Sequence, residues 1–218
     1  MKLASDRRES YVSSGMAEMA HDAVVGLPAE APAERGELQI VPLRGIPIVA
    51  VVLGLLIGTI AADWGWGLDF FHVVGGGLWT AIDLFFGFLV GPIIGRLSVE
   101  ARMDFSARFM PKMLLLMPTL VLCTMVSGWQ LGHHLGYLDA GYFRHEWLVA
   151  SYIVVGVMSV VALAILEPAN LAVLFELKKP RPNGELIGRL MRRYIYTAGV
   201  TGAMQIATLV IMTRIASA

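Results

Sequence analysis

Five long apolar blocks dominate this sequence and restrict what the chain can fold into. A transmembrane helix needs about 20 consecutive, mostly apolar residues, and each block is close to that length. Only helices and closed barrels satisfy every backbone hydrogen bond inside a bilayer. The pattern therefore predicts an all-α integral membrane protein with five transmembrane helices, four of which form a core bundle. The blocks are Ile46–Ala62, Phe70–Gly95, Met113–Leu131, Trp147–Leu166 and Ile195–Thr213.

The first block is the shortest of the five and leaves one alternative open. It carries no charge and is followed by Trp64 and Trp66, a pattern typical of a helix that ends at a membrane interface. The polar stretch that precedes it is too long for the charged region of a signal peptide. The alternative to five spans is four, with Ile46–Ala62 lying on the membrane surface.

The distribution of charge predicts an orientation in the membrane. Arg96–Lys112 holds four basic and two acidic residues, and Glu176–Arg193 holds six basic and two acidic residues. The connections on the opposite side are almost free of basic residues, and cytoplasmic loops are the ones enriched in Lys and Arg. We therefore expect both segments to be cytoplasmic loops of a protein in the cytoplasmic (inner) membrane. The N-terminus is then cytoplasmic and the C-terminus external.

Residues 1–45 are polar and form a region separate from the transmembrane domain, residues 46–218. From Gly26 onward this region is rich in Pro, Ala and Glu and has too little apolar surface to fold. Apolar residues around Met16 and Met19 recur at helical spacing. They predict either a short amphipathic helix on the membrane surface or a partly helical, disordered tail. Such a tail is a candidate site for recruiting a protein partner.

Composition excludes several classes of protein. Seventeen basic and seventeen acidic residues give a net charge of zero, whereas a nucleic-acid-binding domain normally has a basic excess. The single cysteine, Cys123, excludes an intramolecular disulfide, a CxxC zinc site and a CxxCH haem attachment site. The sequence also lacks the phosphate-binding glycine loop, the GxSxG element and the HExxH motif.

The histidines are the most informative polar residues. His72, His133, His134 and His145 all fall near the predicted external boundary of the membrane. His72, Gly76, Trp79 and Asp83 lie at offsets of 4, 7 and 11 residues, so a helix places them on one stripe. Three glycines, Gly75–Gly77, leave space beside His72 either for a flat ligand or for close helix packing.

Imidazole binds iron, copper and zinc alike, so residue type alone does not fix a metal. A haem group held by two histidines needs imidazoles that converge from neighbouring helices in an apolar pocket. We therefore predict a haem b whose axial ligands are His72 and His134, with His133 as the substitute. In this hypothesis Gly76 leaves room for the macrocycle and Trp79 packs against it.

Asp83 and Glu167 are carboxylates within or next to the apolar blocks. A carboxylate in hydrocarbon is costly unless it is neutral or paired, and Asp83 sits near the middle of its block. Its expected partners are Gln205, Thr124 and Thr201. Asp83 is either the catalytic group that passes a proton inward or a helix–helix hydrogen bond. Glu167 is expected to pair with the basic segments, because the following Pro168 should end its helix.

The stretches FFHVVGGGLWTAIDLFFGFLVGPIIGRL and RFMPKMLLLMPTLVLCTMVSGWQLGHHLG carry a family resemblance. Over residues 68–215 the chain resembles uncharacterised bacterial integral membrane proteins, which are similar to the membrane-bound protoporphyrinogen oxidase. The copper-resistance membrane domain is a more distant relative. The resemblance implies a helical bundle with haem b on the histidine matching His72. The oxidase pattern includes a lysine in a later helix, and the fourth and fifth blocks of this chain contain none.

The function expected from the sequence is that of a haem-b membrane protein that handles electrons or a porphyrin, with a quinone or porphyrin as partner in the bilayer. If it is an enzyme, it is a membrane oxidoreductase. One alternative is a non-enzymatic accessory or assembly subunit that recruits partners through its tail. Another is a metal permease, for example for copper, which would use the histidines and nearby Met side chains.

Overall fold

The computed structural model describes residues 38–139 and 141–217 of the chain. These residues form five helices and, within the described ranges, no β-strand. Each helix is long and apolar enough to cross a membrane, which confirms the predicted all-α membrane protein and favours five spans over four. The helices are α1 (Leu43–Ala61), α2 (Gly65–Arg96), α3 (Val99–His134), α4 (His145–Leu177) and α5 (Gly184–Ala216).

The chain divides into two units, Met1–Leu38 and Gln39–Ala218, and all five helices belong to the second. The predicted amphipathic helix around Met16 and the Pro/Ala/Glu-rich stretch lie outside the described residues, so both stay predictions.

The helices are longer than the apolar blocks. α3 has 36 residues and is therefore about 54 Å long, well beyond the roughly 30 Å of a bilayer's hydrocarbon core. The two basic segments expected as loops are therefore largely helical. Side-chain caps start these helices early: the Ser98 hydroxyl accepts a hydrogen bond from the Ala101 amide, and the Asn183 side chain accepts one from Leu186.

Helices α2 to α5 form the core of the bundle, and α1 lies at its edge. α1 packs against α2 and α3, and only 11% of its apolar window is buried. The predicted four-helix core is confirmed. Its centre is formed by Trp79 on α2, Met158 on α4 and a group of buried side chains on α3, which are Met113, Met117, Leu120 and Val121.

Two arginines donate hydrogen bonds to carbonyl groups at or just beyond helix ends, where intrahelical partners run out. Arg102 donates from Nε to the Ile94 carbonyl at 3.3 Å and from Nη2 to the Leu97 carbonyl at 3.1 Å. Arg144 donates to the carbonyls of Ile215 at 3.2 Å and Ser217 at 2.6 Å.

The two ends of the bundle differ in the residues of their connections. We call the end with connections 97–98 and 178–183 the basic end, and the end with connections 62–64 and 135–144 the histidine end.

Pro168 does not end its helix, contrary to the expectation from the sequence. α4 contains a π-helical segment, Ala162–Leu166, and then continues as α-helix over Glu167–Leu177. A π turn changes which carbonyl each amide bonds, so the ring and the missing N–H of Pro168 are accommodated without breaking the helix. α2 uses the same arrangement, with a π segment over Phe85–Val90 ahead of Pro92.

The bundle is closed at the basic end and open at the histidine end. At the basic end, Glu167–Leu177 of α4 packs against both α3 and α5, whereas the first half of α4 packs mainly on α5. Gly87 lets α2 approach α5 closely: a Cβ on Gly87 would lie 2.5 Å from the Gly199 Cα. Gly91 lies against the Ile195 side chain of α5 and continues this seam, whereas a Cβ on Gly95 would meet no atom within 4 Å.

Candidate functional site

A cavity of about 750 Å³ lies between the four core helices in the half nearer the histidine end. Its volume is within the range of ligand pockets, roughly 300–1,000 Å³. Its wall is mostly apolar and receives residues from α2, α3, α4 and α5. The polar side chains in the wall include His72, Thr80, Thr124, Ser151, Tyr152 and Gln205.

His72 is held in a defined orientation at this wall. Its Nδ1 lies 2.9 Å from the carbonyl oxygen of Thr124 on α3. A carbonyl only accepts, so in the neutral ring Nδ1 carries the proton and Nε2 keeps a free lone pair. Gly128 makes this approach possible, because a Cβ there would lie 2.5 Å from the same Nδ1. Metal-binding histidines usually have this arrangement, in which the other ring nitrogen donates to a backbone carbonyl.

The glycine triplet beside His72 lies partly against α3 and partly at the cavity wall. A Cβ on Gly75 would lie 2.7 Å from the Thr124 hydroxyl, so Gly75 is needed for close packing of α2 on α3. Gly76 and Gly77 both line the cavity, and a Cβ on Gly77 would meet no atom within 4 Å. Trp79 also lines the cavity and is only 3% exposed.

His134 and His133 are engaged elsewhere. The Nδ1 of His134 lies 3.0 Å from a carboxylate oxygen of Asp63, in the connection between α1 and α2. The ring of His133 packs edge-on against Trp129, with 5.3 Å between ring centroids. His134 is six residues beyond Gly128, about 9 Å further along α3. Of the three predicted ligands, the structure brings only His72 to the cavity.

Asp83 lies deeper in the bundle and is 2% exposed. Its Oδ2 accepts hydrogen bonds from Gln205 Nε2 at 2.8 Å and from the Thr201 hydroxyl at 3.0 Å. Two of its predicted partners are thus confirmed, while the Thr124 hydroxyl instead donates to the Leu120 carbonyl of its own helix. Asp83 does not line the cavity, but Gln205 does. Gln205 therefore connects the cavity with the buried carboxyl group.

Two further observations bear on the site. Within residues 38–139 and 141–217, no group of three or more His, Cys, Asp or Glu side chains gathers in a way that could bind a metal ion. The polar residues Ser151 and Tyr152 were not predicted to belong to the site. Their only signal in the sequence is that they interrupt the fourth apolar block one to two turns from its external end.

The expected ion pair of Glu167 with the basic segments does not form. Its Oε2 is buried and has no hydrogen-bond partner in the described part of the chain, because α4 continues past Pro168 and carries Glu167 into the bundle.

No family model, curated protein or solved structure matches this chain. The resemblance to the protoporphyrinogen oxidase group therefore stays a prediction from the sequence, and the function has to be argued from the site itself.

Proposed function

We propose that this multi-pass membrane protein binds haem b, or a porphyrin of the same shape, in the cavity between α2, α3, α4 and α5. The observation that carries the proposal is the hydrogen bond from His72 Nδ1 to the Thr124 carbonyl. It leaves Nε2 as the nitrogen able to bind iron, and His72 belongs to the cavity wall. The histidine is therefore prepared as a ligand before any metal arrives.

The wall of the cavity suits a flat, largely apolar ligand. Gly76 and Gly77 leave one side of α2 without bulky side chains, and Trp79 offers an aromatic surface one turn further in. Aromatic side chains pack well against planar conjugated rings. Tyr152 and Ser151 on the opposite helix supply hydroxyl groups for the polar edge of such a ligand.

The described residues fit a haem held by one histidine better than a haem held by two. His72 is the only histidine in the wall, since His134 is paired with Asp63 outside it. Met125 and Met158 belong to the same wall, and thioether sulfur is an established haem ligand. A bound haem b would supply one-electron redox chemistry, as the resemblance to the oxidase group implies.

In this function the protein binds the ligand, orients it and supplies protons. His72 and the glycines fix the ligand's position, and the apolar wall excludes water from its face. Gln205 spans the distance between the cavity and Asp83. Asp83 then holds the proton that accompanies electron transfer or porphyrin chemistry. The electron acceptor in this proposal is a quinone dissolved in the bilayer.

The test is the absorption spectrum of the full chain, expressed in a haem-replete host and purified in mild detergent. We expect a Soret band with sharp bands after reduction, and we expect His72→Ala to abolish them. His134→Ala is the matched control and should keep the spectrum, because His134 contacts Asp63 outside the cavity. Loss of the spectrum in both variants would favour the two-histidine arrangement, and a colourless wild-type protein would refute haem binding.

A second candidate function is that of an accessory subunit. The observation in its favour is the exposure of α1, whose apolar surface is covered by protein over only 11% of its window. That surface is available to lipid or to a helix of a partner. The tail is the segment that the sequence predicts to recruit such a partner. Deleting residues 1–44 should therefore remove a copurifying partner without changing the absorption spectrum. If neither the partner nor the spectrum changes, a partner bound through the tail is contradicted.

A further inference from the structure

Buried polar atoms without partners occur at a second place, where α3, α4 and α5 meet near the basic end. Asn170 is fully buried, and neither its oxygen nor its nitrogen has a hydrogen-bond partner among the described residues. Glu167, one turn earlier on α4, has an unpartnered Oε2. Each unsatisfied buried group costs about 1–3 kcal/mol. Three such atoms on one turn of helix therefore indicate a missing hydrogen-bonding partner.

The space for that partner is present. A void of about 10 Å³ borders Glu167 and Tyr194 and is otherwise lined by apolar side chains, among them Met117 and Pro118. A volume of roughly 10–15 Å³ is what one water molecule needs. Buried waters normally bind polar groups that lack other partners. The carboxyl group of Glu167 and the hydroxyl group of Tyr194 are the polar groups that border this void.

Tyr194 connects this place with Asp83. Its side chain is 6% exposed and borders the void beside Glu167 of α4. On α5 it shares one buried face with Thr201 and Gln205, at offsets of 7 and 11 residues. The face therefore carries polar groups from the cavity, through the partners of Asp83, to the void beside Glu167.

The charges around these groups favour bound protons. No described Lys or Arg forms an ion pair with Asp83 or Glu167. The ionisable groups buried in this part of the bundle include Asp83 from α2, the Glu167 Oε2 atom from α4 and Tyr194 from α5. A carboxyl group at membrane depth without a cation beside it is stable in its neutral, protonated form.

We infer that Glu167 and Tyr194 hold one internal water in this void and form a second proton-binding site, which the buried polar face of α5 connects with Asp83. This inference does not depend on whether the cavity binds haem. It gives the protein two carboxyl groups that can each hold a proton, one directly below the cavity and one nearer the basic end.

Infrared spectroscopy of the purified full-length protein tests the site. Protonated carboxyl groups give carbonyl bands that shift in D₂O. We expect Glu167→Gln to remove one such band and Asp83→Asn to remove another. Tyr194→Phe should shift the Glu167 band and remove the stretching band of the internal water, identified by its shift in ¹⁸O-labelled water.

Glu185→Gln makes the same chemical change at an exposed position on α5 and should leave all these bands unchanged. If Glu167→Gln unfolds the protein, Glu167→Asp provides the second variant, which should move the Glu167 band without removing it. The inference is overturned if neither Glu167 variant changes a carbonyl band, or if Tyr194→Phe leaves the Glu167 band in place. A colourless protein that keeps both bands would refute haem binding and leave this site established.

Discussion

Gly128 decides how His72 sits at the cavity. The imidazole occupies the space where any larger residue would place its Cβ, 2.5 Å from Nδ1. Gly128→Ala must therefore displace the ring and break its bond to the Thr124 carbonyl. We expect a loss of about 1–3 kcal/mol, typical of overpacking, measured as a lower unfolding midpoint in detergent, together with loss of any haem band.

Gly58→Ala on α1 is the control, because a Cβ there meets no atom within 4 Å. It should be neutral or stabilise the protein by about 0.5–1 kcal/mol, since alanine favours a helix over glycine. Equal midpoints for the two variants would show that the His72 ring is not confined by Gly128.

Asp83 offers a second prediction for single residues. Asp83→Asn keeps an oxygen that can accept from Gln205 and Thr201, so its stability should stay close to that of the wild type. Asp83→Leu leaves the Gln205 amide buried without its acceptor and should cost about 1–3 kcal/mol. The measurement is thermal unfolding in detergent. A leucine variant as stable as the asparagine variant would mean that these hydrogen bonds add no stability.

The seam between α2 and α5 leads to a prediction for helix packing. A Cβ on Gly87 would meet the backbone of Gly199, and backbone cannot move aside as a flexible side chain can. Gly87→Ala should force the two helices apart and cost about 1–3 kcal/mol. Gly95→Ala, two turns further along the same glycine row, faces open space and should cost nothing. Thermal unfolding of the two variants, measured in parallel, tests this difference in stability.

How far the sequence predicts the elements depends on the kind of signal. The five spans could be located because each crossing of a bilayer needs a long apolar block. Asp83 could be matched with Gln205 and Thr201 because few polar groups exist at that depth. The burial of Glu167 could not be predicted, because Pro168 normally signals a helix end and the π segment before it has no recognisable pattern in the sequence.

The position of His134 was also out of reach from the sequence. Whether it turns toward His72 or toward Asp63 depends on the backbone of the short connection between α1 and α2. There Asp63 adopts a positive φ of 45°, and Gly65 admits the His134 ring. Spacing along α3 places the two adjacent histidines about 100° apart around the helix but does not say which of its neighbours each one meets.

At the scale of the whole molecule, the two ends should lie on opposite sides of the membrane. Cys123 is 3% exposed, so it should not react with a membrane-impermeant thiol reagent. In a Cys123→Ser background, Arg181→Cys at the basic end should be labelled only from the cytoplasm and Asp139→Cys only from outside. Labelling of both from one side would contradict five spans, and the reverse pattern would contradict the orientation inferred from the basic residues.

The difference between the two ends has a mechanical consequence. A bundle that is tightly packed in one leaflet and separated by a 750 Å³ cavity in the other takes up unequal area in the two leaflets. Any motion that closes the cavity shrinks the protein's footprint on one side only. Lateral tension in that leaflet favours the open form, and lipids that crowd the acyl-chain region favour the closed one. The thickness and curvature of the surrounding membrane therefore influence how readily the cavity binds a ligand.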